Sequence, residues 1–143
     1  AALGQVVAIA AGIADGAQMG AAAHATLVTR GLQEVVEVGK RLGADADAFY
    51  GLAGVGRLVD ALRRGEPNYQ VGLEIGQGRA PEEAISAAPG EALGVRVVWQ
   101  LAEFMQKKQL HLPIATAVAA ILDRDASPQA LVAALRQVDE AAP

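Results

Sequence analysis

Apolar positions recur at helical spacing through almost the whole chain, and no run alternates apolar and polar residues as a half-buried strand would. From Val6 to about Gln18 nearly every residue is apolar, which predicts a central buried helix. Gly12 and Gly16 stand four apart on one of its faces and would let another backbone come close. The stretch from Ala21 to Leu42 predicts a long amphipathic helix. Leu27, Leu32, Val35, Val36 and Val38 line its inner side, Gln33, Glu34, Glu37, Lys40 and Arg41 form its polar side, and Gly43 follows as a C-cap. Asp45 or Asp47 can cap the next segment, where Phe49, Leu52, Val55, Leu58, Val59 and Leu62 fall at roughly helical intervals. Gly51, Gly54 and Gly56 interrupt that segment, each costing about 1 kcal/mol of helix propensity relative to alanine, which suggests tight packing or backbone approach to a ligand.

After the break at Arg63-Arg64-Gly65-Glu66-Pro67, a short helix is expected from Asn68 to Ile75. Pro81-Glu82-Glu83 has the form of a first helical turn, with proline at N1 and carboxylates at the positive end of the dipole. A strong amphipathic helix is predicted from Leu93 to Gln109, Gln109 to Leu112 could be a short extended piece, Pro113 opens a helix through Leu122, and Ser127-Pro128 opens a last one through Val138. No linker or internal repeat divides the chain. The fold expected is all-α, a single multi-helix domain over residues 1–143, with no Rossmann half.

Composition narrows this further. Hydrophobic residues make up 52% of the 143 but aromatics only 3%, so the core must be built from Ala, Leu, Val and Ile. There is no cysteine, which excludes disulfides and thiolate zinc sites. The net charge of −4 and the absence of a basic block argue against nucleic acid. The apolar opening is too short to span a bilayer, which takes about 20 residues, and it lacks the basic flank of a signal peptide. The chain does not begin with Met, as a piece of a longer protein would not.

Six stretches, in order and at matching spacing, carry a family resemblance: LGQVVAIAAGIADG (residues 3–16), LVTRGLQEVVEVGKRLGA (27–44), FYGLAGVGRLV (49–59), NYQVGLEIGQG (68–78), LPIATAVAAIL (112–122) and SPQALVAAL (127–135). Together they resemble the C-terminal substrate domain of bacterial NAD(P)-dependent glycerol-3-phosphate dehydrogenase, and the helical domain of 6-phosphogluconate dehydrogenases is similar in class. The resemblance implies redox chemistry between glycerol 3-phosphate and dihydroxyacetone phosphate, an NAD(P) cofactor, a cytoplasmic protein that could be a dimer or other homo-oligomer, and a partner Rossmann domain that this chain does not supply. The run GLAGVG (residues 51–56) is not the dinucleotide fingerprint, because its glycine order is wrong and no strand precedes it. No cofactor is therefore expected on the isolated chain.

The family's functional positions can be followed residue by residue. Reducing a ketone by hydride transfer needs a proton donor at the developing alkoxide. The family places a Lys-Asn pair in the first helix for this; the matching residues are Gly4-Gln5, where glycine has no proton to give and Gln5 could still donate a hydrogen bond. The family's Gly-Asp-Leu aspartate corresponds to Arg57, and its substrate-facing threonine to Ala61. Its Arg-Asn pair, which binds substrate phosphate and contacts cofactor, reads Pro67-Asn68, so the asparagine remains without the guanidinium fork. Its glutamate before Gly-Val-Arg corresponds to Leu93, ahead of Gly94-Val95-Arg96. Asn68, Gln5 and Arg57 are the candidate substrate-binding residues, Asn68 is the candidate cofactor contact, and no residue stands out as catalytic. Loss of a general acid alone typically costs roughly 10²–10⁴-fold, so the expectation is a substrate-domain homologue inactive as this chain. The alternative is a non-catalytic module that dimerises or binds a small phosphorylated anion, with Arg57, Arg63 and Arg64 rebuilding an anion site.

Blander readings stand beside these. Arg57 can be a solvated or snorkelling residue, Arg63-Arg64 cations near a helix C-terminus, and Asn68 a helix cap. Asp15 and Arg30 resemble scaffold positions. His24 and His111 lack the neighbours a metal site needs, Trp99, Phe104 and Met105 suit a core or partner-facing role, and adjacent Glu82-Glu83 cannot form a facing dyad.

Overall fold

The computed structural model describes residues 2–141, with side chains described through residue 137. Helices and the turns between them make up the described residues, which contain no strand. In chain order they form α1 (Ala2–Gly16), α2 (Ala21–Arg41), a 3₁₀ turn (Ala46–Phe49), a π turn (Leu52–Gly56), α3 (Arg57–Ala61), α4 (Pro67–Gly76), α5 (Pro81–Ser86), α6 (Leu93–Lys108), α7 (Pro113–Leu122) and α8 (Ala130–Ala141).

The apolar first helix is the axle. Val6 through Ala14 are all buried, and α2, α3, α4, α6 and α7 pack around them. The closest of these packings is with α4, and small residues permit it. A Cβ on Gly12 would overlap the carbonyl oxygen of Tyr69, and one on Gly16 the carbonyl of Leu73. The reverse holds for Gly72 against the carbonyl of Ile9 and Gly76 against that of Ile13. Two pairs of glycines, each four apart, thus bring two helix backbones into direct contact. The expectation from Gly12 and Gly16 holds, and its counterpart in α4 supplies the other half.

Proline opens three helices at their first turn, Pro67 in α4, Pro81 in α5 and Pro113 in α7, where its missing N–H leaves nothing unsatisfied. Gly43 takes φ +87° just past α2, as a C-cap position requires. Ser127 and Pro128 form a turn ahead of α8, and the carbonyls of both accept N–H groups from its start. The piece from Gln109 to Leu112 bends with Gln109 at φ 51° and pairs with no strand.

Three expectations need correction. The segment from Phe49 to Leu62 is not one apolar helix: Leu52 is 87% exposed and Val59 64% exposed, because the glycines around them let the chain turn as 3₁₀, then π, then a short α3. Phe49 anchors this segment by lying against the bare backbone of Gly39 in α2. Glu34 is not part of a solvated face; it is half-buried, and its two carboxylate oxygens accept the N–H groups of Ile114 (2.6 Å) and Ala115 (3.0 Å) at the start of α7. Asn68 does not cap α4. Glu66 does, accepting from Tyr69 N at 3.0 Å.

The main core joins α1, α2, α4, α6, α7 and α8 through Ile9, Ile13, Leu27, Val71, Val98, Val118 and Leu131. A smaller one gathers Val38, Leu101, Leu112 and Ala115, with Phe104 and Met105 packed at its edge. Those two side chains are therefore core residues, whereas Trp99 is 38% exposed. Among the described residues no helix is long and apolar enough to cross a membrane.

Candidate functional site

The start of α1, one side of α3, the residue before α4 and the start of α6 converge on one open cleft of about 490 Å³. Its walls carry Gly4 and Gln5 from α1, Arg57, Asp60 and Ala61 from α3, Glu66, and Leu93, Arg96 and Val97 from α6. Residues far apart in sequence meet here because α1 and α4 are locked by their glycines and α3 is carried on the loop between α2 and α4.

Asn68 holds the cleft together from behind. It is 1% exposed and is the one buried polar side chain among the described residues. Its Nδ2 donates to Glu66 Oε1 at 2.9 Å and its Oδ1 accepts Gly94 N at 2.7 Å. This side chain therefore ties the N-terminus of α4 to that of α6. Gly94 is required there, because a Cβ would lie 2.7 Å from Asn68 Oδ1 and 3.0 Å from the Gln5 carbonyl oxygen.

The charges in the cleft differ in how far they are committed. Asp60 is bonded to Arg63 Nε at 2.9 Å, and Glu66 accepts from Asn68 and Tyr69. Arg96 lies 3.5 Å from Glu91 in a pair exposed to solvent, where such contacts contribute little. Neither the Arg57 guanidinium nor the Gln5 amide bonds to another described side chain. Arg57 thus offers donors to an open space without a direct ion pair, and Asp60 and Glu66 line the same cleft.

Of the arginines grouped in sequence, Arg57 alone lines the cleft; Arg63 is turned to Asp60, and Arg64 is exposed. Gly4, Gln5, Arg57, Ala61 and Leu93 all face the one space, with Asn68 buried behind it. Sequence reasoning missed Glu66 and gave Arg96 no role. The Glu66-Pro67 pair carried a usable signal, since a polar residue before a proline at N1 occupies the cap position.

Two further polar groupings lie away from the cleft. Asp15 joins α1, α2 and α4: its Oδ1 accepts from His24 Nδ1 at 2.8 Å, and its Oδ2 from the Tyr69 hydroxyl at 2.5 Å. Burial, followed by the bond to Asp15, pushes the Tyr69 phenol up to about 12. Glu82 is paired with Arg124 across the surface. Among the described residues no three His, Asp or Glu side chains are placed to hold a metal.

The family model for the C-terminus of NAD-dependent glycerol-3-phosphate dehydrogenase matches residues 1–133. The chain belongs to this family. It is 41% identical over 134 residues to a protein of Gloeobacter violaceus named glycerol-3-phosphate dehydrogenase [NAD(P)+], covering 93% of this chain and 44% of that one. A protein of the same name from Methylibium petroleiphilum is 43% identical over 134 residues, covering 92% and 40%. The crystal structure of glycerol-3-phosphate dehydrogenase from Coxiella burnetii superposes with a TM-score of 0.87 at 32% identity, covering 97% of this chain and 42% of that one. The yeast enzyme superposes at 0.85 with 23% identity, a likeness of fold. The chain spans less than half the length of these relatives. In this glycerol-3-phosphate dehydrogenase C-terminal domain, Gly4, Gln5, Arg57, Ala61 and Leu93 line the cleft just described, Asn68 lies behind it, and Pro67 is not among the lining residues.

Proposed function

We propose that this chain is the ligand-binding half of a glycerol-3-phosphate dehydrogenase-type protein, that its cleft binds a small phosphorylated anion, and that by itself it does not carry out the family reaction. The observation that carries this reading is the pairing of Gly4 with Arg57 on the same cleft. At position 4 there is no proton to donate to a developing alkoxide. At position 57 there is a guanidinium with no carboxylate partner, suited to phosphate oxygens. Gln5 adds an amide donor from the neighbouring wall.

In this reading Arg57 takes over charge recognition that the family resemblance assigns to the position now held by Pro67. Asn68 shapes the cleft from behind rather than meeting ligand, since both ends of its amide are used within the protein. Glu66 is engaged by Asn68 and Tyr69 within the protein, whereas Asp60 meets Arg63 in an exposed pair.

NAD(P) is part of this proposal only through a second domain. The names of the relatives include NAD(P)+, and more than half of their length lies outside the match. The cleft borders a shallower hollow of about 420 Å³ edged by Ile85, Leu93 and Trp99, all partly exposed apolar residues. A nucleotide-binding domain is the occupant that this surface suits.

Consumption of NADH with dihydroxyacetone phosphate, measured on the longest natural product of the gene, tests the catalytic half of the proposal. The expected result is no turnover above background. Turnover at a rate typical of the family would show that another group supplies the proton and would end the reading of an inactive cleft.

A further inference from the structure

Beside the cleft lies a smaller chamber of about 180 Å³, and Gly4 and Arg57 line both spaces. The chamber is walled by Leu32 and Val35 of α2, by Phe49, and by Ala53 and Leu58 beyond it. Apart from Arg57 its lining side chains are apolar. Gly4 crowds neither space: a Cβ there would meet Leu58 Cδ1 at 3.9 Å and nothing nearer. Phe49, seated on Gly39, and residues of the π turn form one side of the chamber, opposite Leu32 and Val35.

A guanidinium at the mouth of an apolar recess is an arrangement for a ligand with an anionic head and an apolar tail. We infer that the ligand of this cleft is a phosphomonoester carrying a short apolar substituent, with its phosphate at Arg57 and its substituent passing Gly4 into the chamber. The inference rests on the proposed anion-binding role of the cleft. It adds that the ligand is larger and more apolar than a three-carbon polyol phosphate. A bulkier side chain at position 4 would stand in the passage, so glycine there widens the range of ligands as well as removing a proton donor.

Calorimetric titration of the intact protein with inorganic phosphate, methyl phosphate and hexyl phosphate tests this. Hexyl phosphate should bind about ten-fold or more tightly than methyl phosphate, since each buried methylene adds to affinity. Arg57→Gln should weaken all three. Ala53→Leu, which narrows the chamber without touching Arg57 or Gln5, should remove the advantage of the hexyl chain; Ala48→Leu does the same from the 3₁₀ turn should the first variant fold poorly. Equal affinity for methyl and hexyl phosphate, with binding still dependent on Arg57, would overturn the chamber's role and leave the anion cleft standing. Absence of binding by all three would overturn both. Sedimentation with phosphatidic acid vesicles, without affinity for monomeric hexyl phosphate, would assign the surface to membrane lipid and overturn the small-ligand assignment.

Discussion

The side-chain oxygen of Asn68 accepts the backbone N–H of Gly94 at 2.7 Å, and this single bond joins the two helix starts that frame the cleft. Both partners are buried. Removing the acceptor leaves a buried N–H without a partner, which typically costs about 1–3 kcal/mol. Asn68→Ala should therefore lower the unfolding free energy in urea by that order. Gly94→Ala should do so as well, because its methyl group would press on Asn68 and on the Gln5 carbonyl. The two effects should be less than additive, since each breaks the same contact.

The crossing of α1 and α4 makes a separate prediction. Gly12→Ala would drive a methyl group into the backbone of Tyr69, where no flexible side chain can yield. Overpacking of a core typically costs about 1–3 kcal/mol, and a backbone clash belongs at the upper end. Gly51→Ala also changes a glycine, but at a negative φ of −95° with open space around it, so its cost is smaller. Thermal midpoints of the two variants should separate clearly, with Gly12→Ala the lower.

Glu34 should give the protein a pH-dependent stability. Burial raises its carboxyl from 4.5 to about 7, against the opposing effect of the N–H groups of Ile114 and Ala115. Between those two values the native state holds a proton that the unfolded chain has released. The stabilising contribution is therefore complete below about pH 4.5 and is lost as pH rises through about 7. One pKa unit corresponds to about 1.4 kcal/mol, so the fall between pH 5 and pH 8 should be on the order of a few kcal/mol. Denaturant titrations across this range should show that slope in the native sequence and a flatter one in Glu34→Gln. Equal slopes would place the pH dependence elsewhere.

The exposed apolar residues beside the cleft predict self-association. Ile85, Leu93 and Trp99 edge one hollow beside the cleft and are each more than a third exposed, and a contiguous apolar patch of this kind marks an interaction surface. Sedimentation of the chain without any partner domain should show concentration-dependent oligomers. Trp99→Gln with Leu93→Gln should shift the distribution toward monomer, and an unchanged distribution would exclude this face.

Much of the architecture could be read from the residues because the signals were local. The apolar run of α1, the prolines at the starts of α5 and α7 and the glycines four apart in α1 each act on their own neighbourhood. The π turn could not be read so, because Gly51, Gly54 and Gly56 announce a weak helix without saying which hydrogen-bond pattern replaces it. Glu34 was misplaced because its partners are 80 and 81 residues away; its position seven residues after Leu27 and four before Val38 sets it toward the inner face, but α2 alone does not show what meets it there. Asn68 was placed near the site by family resemblance, but its actual work depends on Gly94, 26 residues on, whose lack of a side chain is what admits it. For the cleft itself, resemblance named the positions, and the fold explains why Gly4, Arg57 and Leu93 share one space.

The most direct test of the account is titration of glycerol 3-phosphate into the intact protein, compared between the native sequence and Arg57→Gln. Binding that Arg57→Gln weakens about ten-fold or more, as loss of a charge-assisted contact should, is the result predicted. Binding that Arg57→Gln leaves unchanged, or no binding of the phosphate by the native protein, would contradict the claim that this cleft recognises an anion through Arg57.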